Sequence, residues 1–528
     1  MNSYARLWAA DPEGWRGAGA AWGGLTGRFD RWGGELATGA GRLRGGWSGD
    51  AARAADGRLT GLRVELTSVV PALVEADQVL AELAGRLRAA KARLAAAVEA
   101  ADRGGLRIDR HGRVSAAPFG ALPTAQVGPA VAQVSQAVGA ALAIADAADR
   151  EATRRLVELA GAAGSGWSAE PPPWRPGPDA EPALVRRWWA GLTPAQRRWL
   201  VRHEPGRVGA LDGVPVADRD QANRLLLADR RAELLAERGR LLTRFPRGPA
   251  EVAGLRRVAA ALTGLSALTD RLSARETPRA YLLGLRTGGE GRAIVALGNP
   301  DRAEHVLTYV PGMTAGLADA TGELGRAGRV QARCAALAPG AETAAVLWLD
   351  YDAPDFLHEA FRATQARDAG PALHRFQDGL RATHEGPPAR QTVLGHSYGS
   401  TVVGTTARDH GLATDALVFV GSPGVGVQHA GELRVPAGQV WSSTAPDDPI
   451  RLVRPPDDLL RRAASAVPPF GPVGGLVDRP DGGLWFGRDP SDPGFGGRTF
   501  GSDRSGHTGY WEADNPALDG MARVVLGR

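Results

Sequence analysis

Apolar positions near the start of the chain repeat with a helical period. Trp15, Trp22, Leu25, Phe29, Trp32, Leu36 and Leu43 follow one another at spacings of 7, 3, 4, 3, 4 and 7. This heptad stripe predicts one long amphipathic helix over 12–43. Gly45-Gly46-Trp47-Ser48-Gly49-Asp50 interrupts it, and Leu59, Leu62, Leu66, Val69, Leu73, Leu80, Leu83, Leu87 and Leu94 resume the same period. Two long helices joined by a short glycine turn are expected to fold back, each burying its stripe on the other. Leu106 to Val114 reads as a small hairpin with Gly112 in its turn and His111 exposed beside it. A third helix is predicted over about 125–161. Residues 163–182 are rich in proline and read as an extended linker at a domain boundary. Thr193, Pro194 and Gln196 have the pattern of a capped helix start, and further helices are predicted over about 219–243 and 249–274.

From residue 279 the period changes. Ala280 to Leu285, Ala293 to Leu297, His305 to Val310, Ala344 to Leu349, Gln391 to Leu394, Ala416 to Val420 and Gln439 to Ser442 are short apolar or β-branched runs. Helical segments lie between the later ones, at about 315–336, 355–383 and 399–410. Strands alternating with helices imply a mostly parallel sheet covered on both faces. Gly288-Gly289 between the first two runs suggests an antiparallel hairpin at one edge. The fold class is therefore α/β, preceded by an all-α region. The divisions read as a helical domain over 1–162, the linker over 163–182, a helical connecting region over 183–275 and the α/β domain over 276–528.

Within that last part, Thr392-Val393-Leu394 runs into Gly395-His396-Ser397-Tyr398-Gly399 and then a helix-like segment. Strand, sharp Gly-x-Ser-x-Gly turn and helix hold a serine hydroxyl out at the strand end, and the N–H after it points at a developing oxyanion. The elbow and its surroundings over 279–528 resemble the α/β-hydrolase superfamily. That resemblance implies a nucleophile, an acid and a histidine in this chain order. Of the histidines well beyond Ser397, only His507 follows the strand end Ser442-Ser443-Thr444-Ala445-Pro446-Asp447-Asp448-Pro449-Ile450; His429 precedes it. Asp448 is the favoured acid, because superfamily members often carry Asp-Pro followed by an aliphatic residue; Asp447 stays open. The backbone N–H groups of Tyr398 and Met313 are assigned to the oxyanion, with Thr314 as the alternative to Met313. Gly421-Ser422-Pro423-Gly424-Val425-Gly426 reads as a tight turn, and the Pro- and Gly-rich stretch 451–500 as a flap over the site.

Two further resemblances cover the earlier regions. A helical hairpin with Trp47-Ser48-Gly49 at its bend resembles the WXG-type substrates of type VII (ESX) secretion. The export motif of that family, Tyr-x-x-x-Asp/Glu after the second helix, is absent at that place. Pro205, Val208-Gly209, Leu211-Asp212-Gly213-Val214-Pro215, Arg219-Asp220 and Ala222-Asn223-Arg224, followed by a helix, resemble an actinobacterial α/β-hydrolase family catalogued as domain of unknown function 1023. Physical reasoning from sequence does not explain that run. Trp188, Trp189 and Trp199 beside it are either core packing or a roof over a site.

Composition narrows the partners. A chain of 528 residues is too long for one core. The formal charge is +5, nearly all of it arginine with Lys91 the only lysine, and the arginines alternate with acids and alanines. They read as solvated helix faces, so nucleic acid is not an expected partner. Cys334 is the only cysteine, which excludes an intrachain disulfide, and no His-Glu-x-x-His motif suggests a metal. The N-terminus lacks the apolar core of a cleavable signal peptide, and the most apolar stretch, Val127 to Ala148, is interrupted by Gln133, Gln136 and Asp146, so no transmembrane segment is expected. The sequence reading is a serine hydrolase, esterase- or lipase-like, that cleaves a small-molecule ester or lipid through an acyl-enzyme without a cofactor. A peptidase or amidase with the same residues, and an inactive secretion-linked interaction protein, are the alternatives. The N-terminal region is expected to meet a helical protein partner, with chemistry confined to 183–528. Localisation is left between the cytoplasm and a leaderless, type VII-like export route.

Overall fold

The computed structural model describes residues 4–117, 124–164, 171–243, 248–274, 276–288, 291–354, 362–452 and 483–528. Its N-terminal part is helical: α1 (Tyr4–Ala9), α2 (Pro12–Gly46), α3 (Asp50–Ser68), α4 (Val70–Arg103) and α5 (Thr124–Gly164). The bend after α2 falls at the expected place, where Gly49 has φ +105°. A two-stranded hairpin, β1 (Leu106–Ile108) with β2 (Val114–Ala116), joins α4 to α5.

The stripes do not bury one another. Trp15, Trp22 and Trp32 on α2 face outward, 43%, 48% and 48% exposed. What α2 turns to α4 is a face of small residues: a Cβ added at Gly19 would stand 3.0 Å from the Asp77 carbonyl oxygen, so any side chain there would force the helices apart. The leucine face of α4 is taken by α5. Leu83, Leu87 and Leu94 pack with Val134, Val138, Ala141 and Ala145, whose small size lets the two helices approach closely. Helix α5 is also long and apolar enough to cross a membrane, with a mean hydropathy of 1.4 over its most apolar window.

Helices α6 (Pro182–Gly191), α7 (Pro194–His203), α8 (Pro205–Ala210), α9 (Val216–Thr243) and α10 (Pro249–Ser273) lead into the sheet. The Thr193 and Gln196 side chains form the expected capping box at the start of α7. Trp189 is fully buried against Val185, Leu200 and Val208 and donates to Asp218 at 2.7 Å, so it is core packing.

The seven strand runs read from sequence are all present: β3 (Ala280–Arg286), β4 (Arg292–Leu297), β5 (His305–Val310), β6 (Thr343–Leu349), β7 (Arg390–His396), β8 (Ala416–Val420) and β9 (Val440–Ser443). The short pair β10 (Gly483–Leu484) and β11 (Gly487–Arg488) stands apart, and an eighth main-sheet strand, β12 (Arg498–Thr499), was not legible. The order is β12-β9-β8-β7-β5-β6-β4-β3, with only β4 antiparallel to its neighbours. Strands β6 to β8 are buried along both faces, which requires helices on each side. These include α11 (Ala320–Leu337), α12 (Thr364–Thr383), α13 (Tyr398–Asp409) and a C-terminal α14 (Pro516–Val525). Helix α14 was not anticipated, although Asn515 caps it and Pro516 opens it. This is an α/β-hydrolase fold preceded by a helical region. Most of the expected flap, 453–482, lies outside the described residues.

The run that sequence reasoning could not explain acquires a physical role at the sheet edge. Strand β3 is the last in the order, and its register shifts at Leu282/Gly284. Such an edge leaves backbone groups unpaired. Helix α9 satisfies them: Asp220 accepts from the Leu282 N–H at 2.7 Å, Asn223 donates to the Leu282 carbonyl at 3.1 Å and Arg224 to the Ala280 carbonyl at 3.1 Å. Arg219 reaches back to Asp212 at 2.8 Å and locks the preceding turn.

The same edge meets α4. Gln78 donates to Asp220 at 2.6 Å and accepts from Gln221 at 3.1 Å. Arg279 pairs with Asp77 at 3.0 Å, and Arg302 pairs with Glu82. These groups are buried or nearly so, and Gln78 and Asp220 are fully enclosed. Buried contacts thus tie the N-terminal helices to the core across the 163–182 linker. Asp77, Gln78 and Glu82 lie off the apolar stripe of α4, on a face that helical periodicity does not mark. Removing one partner of a buried pair costs about 3–5 kcal/mol. A chain starting at Ala183 is accordingly expected to be insoluble, or to unfold at clearly lower urea than the full chain. A soluble truncation with an unchanged urea midpoint would contradict this account of the junction.

Candidate functional site

Strand β7 ends in the tight turn of the Gly-x-Ser-x-Gly motif, and space rather than propensity dictates its glycines. A Cβ on Gly395 would come within 2.5 Å of the Ser400 Cα, and one on Gly399 within 2.3 Å of the Val310 carbonyl oxygen. Ser397 takes the strained backbone that the turn requires, φ 52° and ψ −128°, and its N–H is held by the Val420 carbonyl at 3.0 Å. Helix α13 starts at the next residue.

The three side chains assigned from sequence meet at the C-terminal ends of the strands. His507 Nε2 is 2.9 Å from Ser397 Oγ, and its Nδ1 is 2.9 Å from each Asp448 carboxylate oxygen. Asp448 is fully enclosed; Ser397 is 6% exposed. Asp448 also accepts from the Ile450 N–H at 2.8 Å and from the Tyr510 hydroxyl. Burial pushes its carboxyl up, but the bonds from His507 and Tyr510 outweigh that and hold it below the usual range. Of the two aspartates left open, Asp448 is the one that faces His507. Asp447 points elsewhere and accepts from the Ser505 and Gly506 N–H groups at 3.0 and 3.1 Å, securing the loop that presents His507.

The loop after β5 lies against the serine. A Cβ added to Gly312 would be 2.7 Å from Ser397 Cβ, so glycine is what lets this backbone approach. The Tyr351 hydroxyl pins the loop from behind by donating to the Pro311 carbonyl at 2.6 Å. The Thr314 N–H donates to the Pro354 carbonyl at 2.9 Å. The N–H groups of Tyr398 and Met313 have no backbone acceptor among the described residues. The Gly421 turn sits behind Asp448 and His507, and Ser422 bonds Ser400 at 2.8 Å, so it is a packed turn as expected. His429 lies apart, with its Nδ1 3.2 Å from the Gly494 carbonyl. Among the described residues, no group of His, Cys, Asp and Glu is arranged to hold a metal ion.

Sequence reasoning passed over three supporting residues. Tyr351 is one. Tyr510 bridges Asp448 and, as acceptor, the Ala445 N–H at 2.9 Å; its only signal was an aromatic residue close after His507. His396 precedes the serine and donates from Nε2 to the His507 carbonyl at 2.9 Å, with Trp511 edge-on against its ring. Burial, with the His507 ring beside it, pushes His396 down to about 3. Behind Trp511 stands Arg326, which also pairs with Glu323 at 2.7 Å.

Residues 287–457 match the model of a family described as Alpha/beta hydrolase. The Mycobacterium tuberculosis protein Rv0963c, itself described as uncharacterized, is 32% identical over 223 residues, covering 40% of this chain and 78% of that protein. A second protein of that species with the same description, Rv2079, is 31% identical over 400 residues, or 68% of this chain. The chain spans 56% of the length of Rv2079. S-formylglutathione hydrolase from Staphylococcus aureus is similar over 47% of this chain and 98% of its own, at 10% identity and a TM-score of 0.26.

The buried His396 has a consequence for stability. The folded protein keeps it neutral, whereas the unfolded chain takes up the proton below its ordinary value of 6.5. Stability is thus expected to fall as pH drops from 6.5 towards about 3, by up to about 1.4 kcal/mol per pH unit from this group. Urea midpoints measured over that range should fall less steeply for His396→Gln than for the wild type. Parallel slopes would mean that His396 is not held neutral.

Proposed function

The chain belongs to the α/β-hydrolase family, and from that premise we propose that it is a serine hydrolase that cleaves a carboxylic ester through an acyl-enzyme. The observation that carries the reading is the unbroken chain of hydrogen bonds from Ser397 through His507 to Asp448. Ser397 Oγ attacks the ester carbonyl while His507 Nε2 takes its proton. Asp448 holds the Nδ1–H tautomer and stabilises the imidazolium. The N–H groups of Tyr398 and Met313 receive the oxyanion. Collapse breaks the ester C–O bond, and His507 returns the proton to the departing alcohol. Water then attacks the acyl-serine, with His507 again as base, and releases the carboxylic acid. His507 is the acid for either leaving group, but an alkoxide is a far better leaving group than an amide anion, and an ester carbonyl is the more electrophilic. That asymmetry favours ester over amide.

The N-terminal helices are proposed to be a WXG-type module concerned with export or with a helical partner. What supports this is the bend at Trp47-Ser48-Gly49 and the outward face of Trp15, Trp22 and Trp32. Export is tested by expressing the tagged chain in an actinobacterial host and labelling medium and cells with a fluorophosphonate; retention in the cells removes the export reading.

Ser397→Ala is expected to abolish fluorophosphonate labelling and to slow hydrolysis of short p-nitrophenyl esters by on the order of 10⁴-fold, with the fold intact. Labelling at another serine would overturn the assignment. Asp448→Asn is expected to lower kcat by on the order of 10⁴-fold, because the wrong His507 tautomer would face the serine. Asp447→Asn should have a far smaller effect, since its role is to hold the loop; the opposite ranking would reverse the two. Faster turnover of matched p-nitroanilides than of esters would favour an amidase.

A further inference from the structure

A cavity of about 180 Å³ lies where α2 and α4 meet the start of the sheet. Arg16 and Arg86 enter its wall from the helices, and Arg279, Tyr281, Arg302 and Glu342 from the sheet side. Arg16 and Arg279 share Asp77 through their Nη atoms, at 3.1 and 3.0 Å. Arg302 is held by Glu82 and by Glu385 at 3.0 Å. The Nε atoms of Arg16, Arg86 and Arg279 are all buried and have no hydrogen-bond partner among the described residues. A buried donor without an acceptor is costly, and a charged one more so. The cavity itself is lined by five arginines, Arg16, Arg86, Arg88, Arg279 and Arg302, against two carboxylates, Glu82 and Glu342. Arg86 faces Glu82 and Glu342 only through space, and burial pushes the Glu342 carboxyl up, which weakens it as a counter-charge.

We propose that this cavity is a binding site for a compact oxyanion of the phosphate type, which clamps the N-terminal helices to the hydrolase core. Guanidinium forks match phosphate oxygens in geometry as well as charge. The volume is ample, since one water needs only about 10–15 Å³ on the same measure. The site is not the substrate pocket. It lies beside Gly298, Glu342 and Thr343, at the start of β6, whereas Ser397 follows the far end of β7, and both strands run parallel to β5. An anion there has the arginines of α2 and α4 on one side and, on the other, Arg279 and Arg302 from the segments that lead into β3 and β5, so it reinforces the junction built by Gln78, Asp220 and the buried ion pairs.

The test is thermal unfolding of the full chain in inorganic phosphate and in chloride of equal ionic strength. Saturating phosphate is expected to raise Tm by roughly 2–4 °C. Because phosphate also stabilises proteins generally, the comparison that decides is with variants. Arg86→Gln removes a guanidinium that makes no ion pair among the described residues and should lose most of the phosphate-specific rise. Gly85→Glu places a carboxylate at the cavity wall, where an added Cβ meets nothing within 4 Å. It should raise Tm above that of Gly85→Gln in chloride and make the protein insensitive to phosphate. A larger rise with glycerol 3-phosphate than with inorganic phosphate would assign a monoester; an equal or smaller one would assign the inorganic ion. A rise that is the same in wild type, Arg86→Gln and Gly85→Glu, or no rise in the wild type, would overturn the proposal. Ester hydrolysis by these variants separates the two readings, since loss of the phosphate response with turnover intact leaves the Ser397 site untouched.

Discussion

There is no space for a β-carbon between the start of α13 and the end of β5. Gly399 lies against the carbonyls of Val310 and Pro311, and Gly312 lies against Ser397, so two backbones touch where side chains would ordinarily intervene. This contact depends on β5 and β7 being neighbours in the sheet, with β6 and its helix crossing to the other side of β5. It also fixes the strained Ser397 and the loop that Tyr351 holds from behind. The energy of an unfavourable φ at one residue is small beside the burial of the strands that enforce it.

The rest of the site hangs from loops, and each loop is tied by a polar side chain rather than by packing. Adjacent aspartates divide the work: Asp448 turns inward to His507 and Tyr510, while Asp447 turns to the backbone before His507. His396 adds a bond to the His507 carbonyl from beneath. The histidine is thus held by its ring and by its backbone on both sides. That matters because a hydrogen bond to a serine survives only if neither partner can rotate away.

A second polar system, at the other end of the sheet, joins the helical region to the core. Edge strand β3 is closed by Asp220, Asn223 and Arg224, and Asp220 is in turn bonded by Gln78 from α4. A buried charge network of this kind adds less to stability than an apolar interface of equal area, but it permits only one register of docking. The outward tryptophans of α2 and the inward arginines are two faces of one arrangement: the close approach at Gly19 needs small residues, which leaves the large ones outside.

The strand runs, the elbow and the meeting of Ser397 with a later aspartate and a later histidine were legible because each is local or rests on chain order. Apolar runs of four to six residues separated by helical periods leave little choice but a doubly covered sheet, and Gly-x-Ser-x-Gly carries its own steric reason. The capping box at Thr193 was readable for the same cause. What failed was partner choice. The period of Trp15, Trp22 and Trp32 predicts a helix but not which face is buried, and Leu83, Leu87 and Leu94 found α5 instead. Strand β12 is too short to carry a period. Asp448 was favoured over the adjacent, chemically identical Asp447 by resemblance alone, and it is the direction of each side chain in the fold that sets Asp448 against His507. Periodicity and motif are properties of neighbouring residues and are written in the chain; which surfaces meet, and which of two equal groups faces the histidine, depends on contacts between residues far apart, which exist only once the chain is folded.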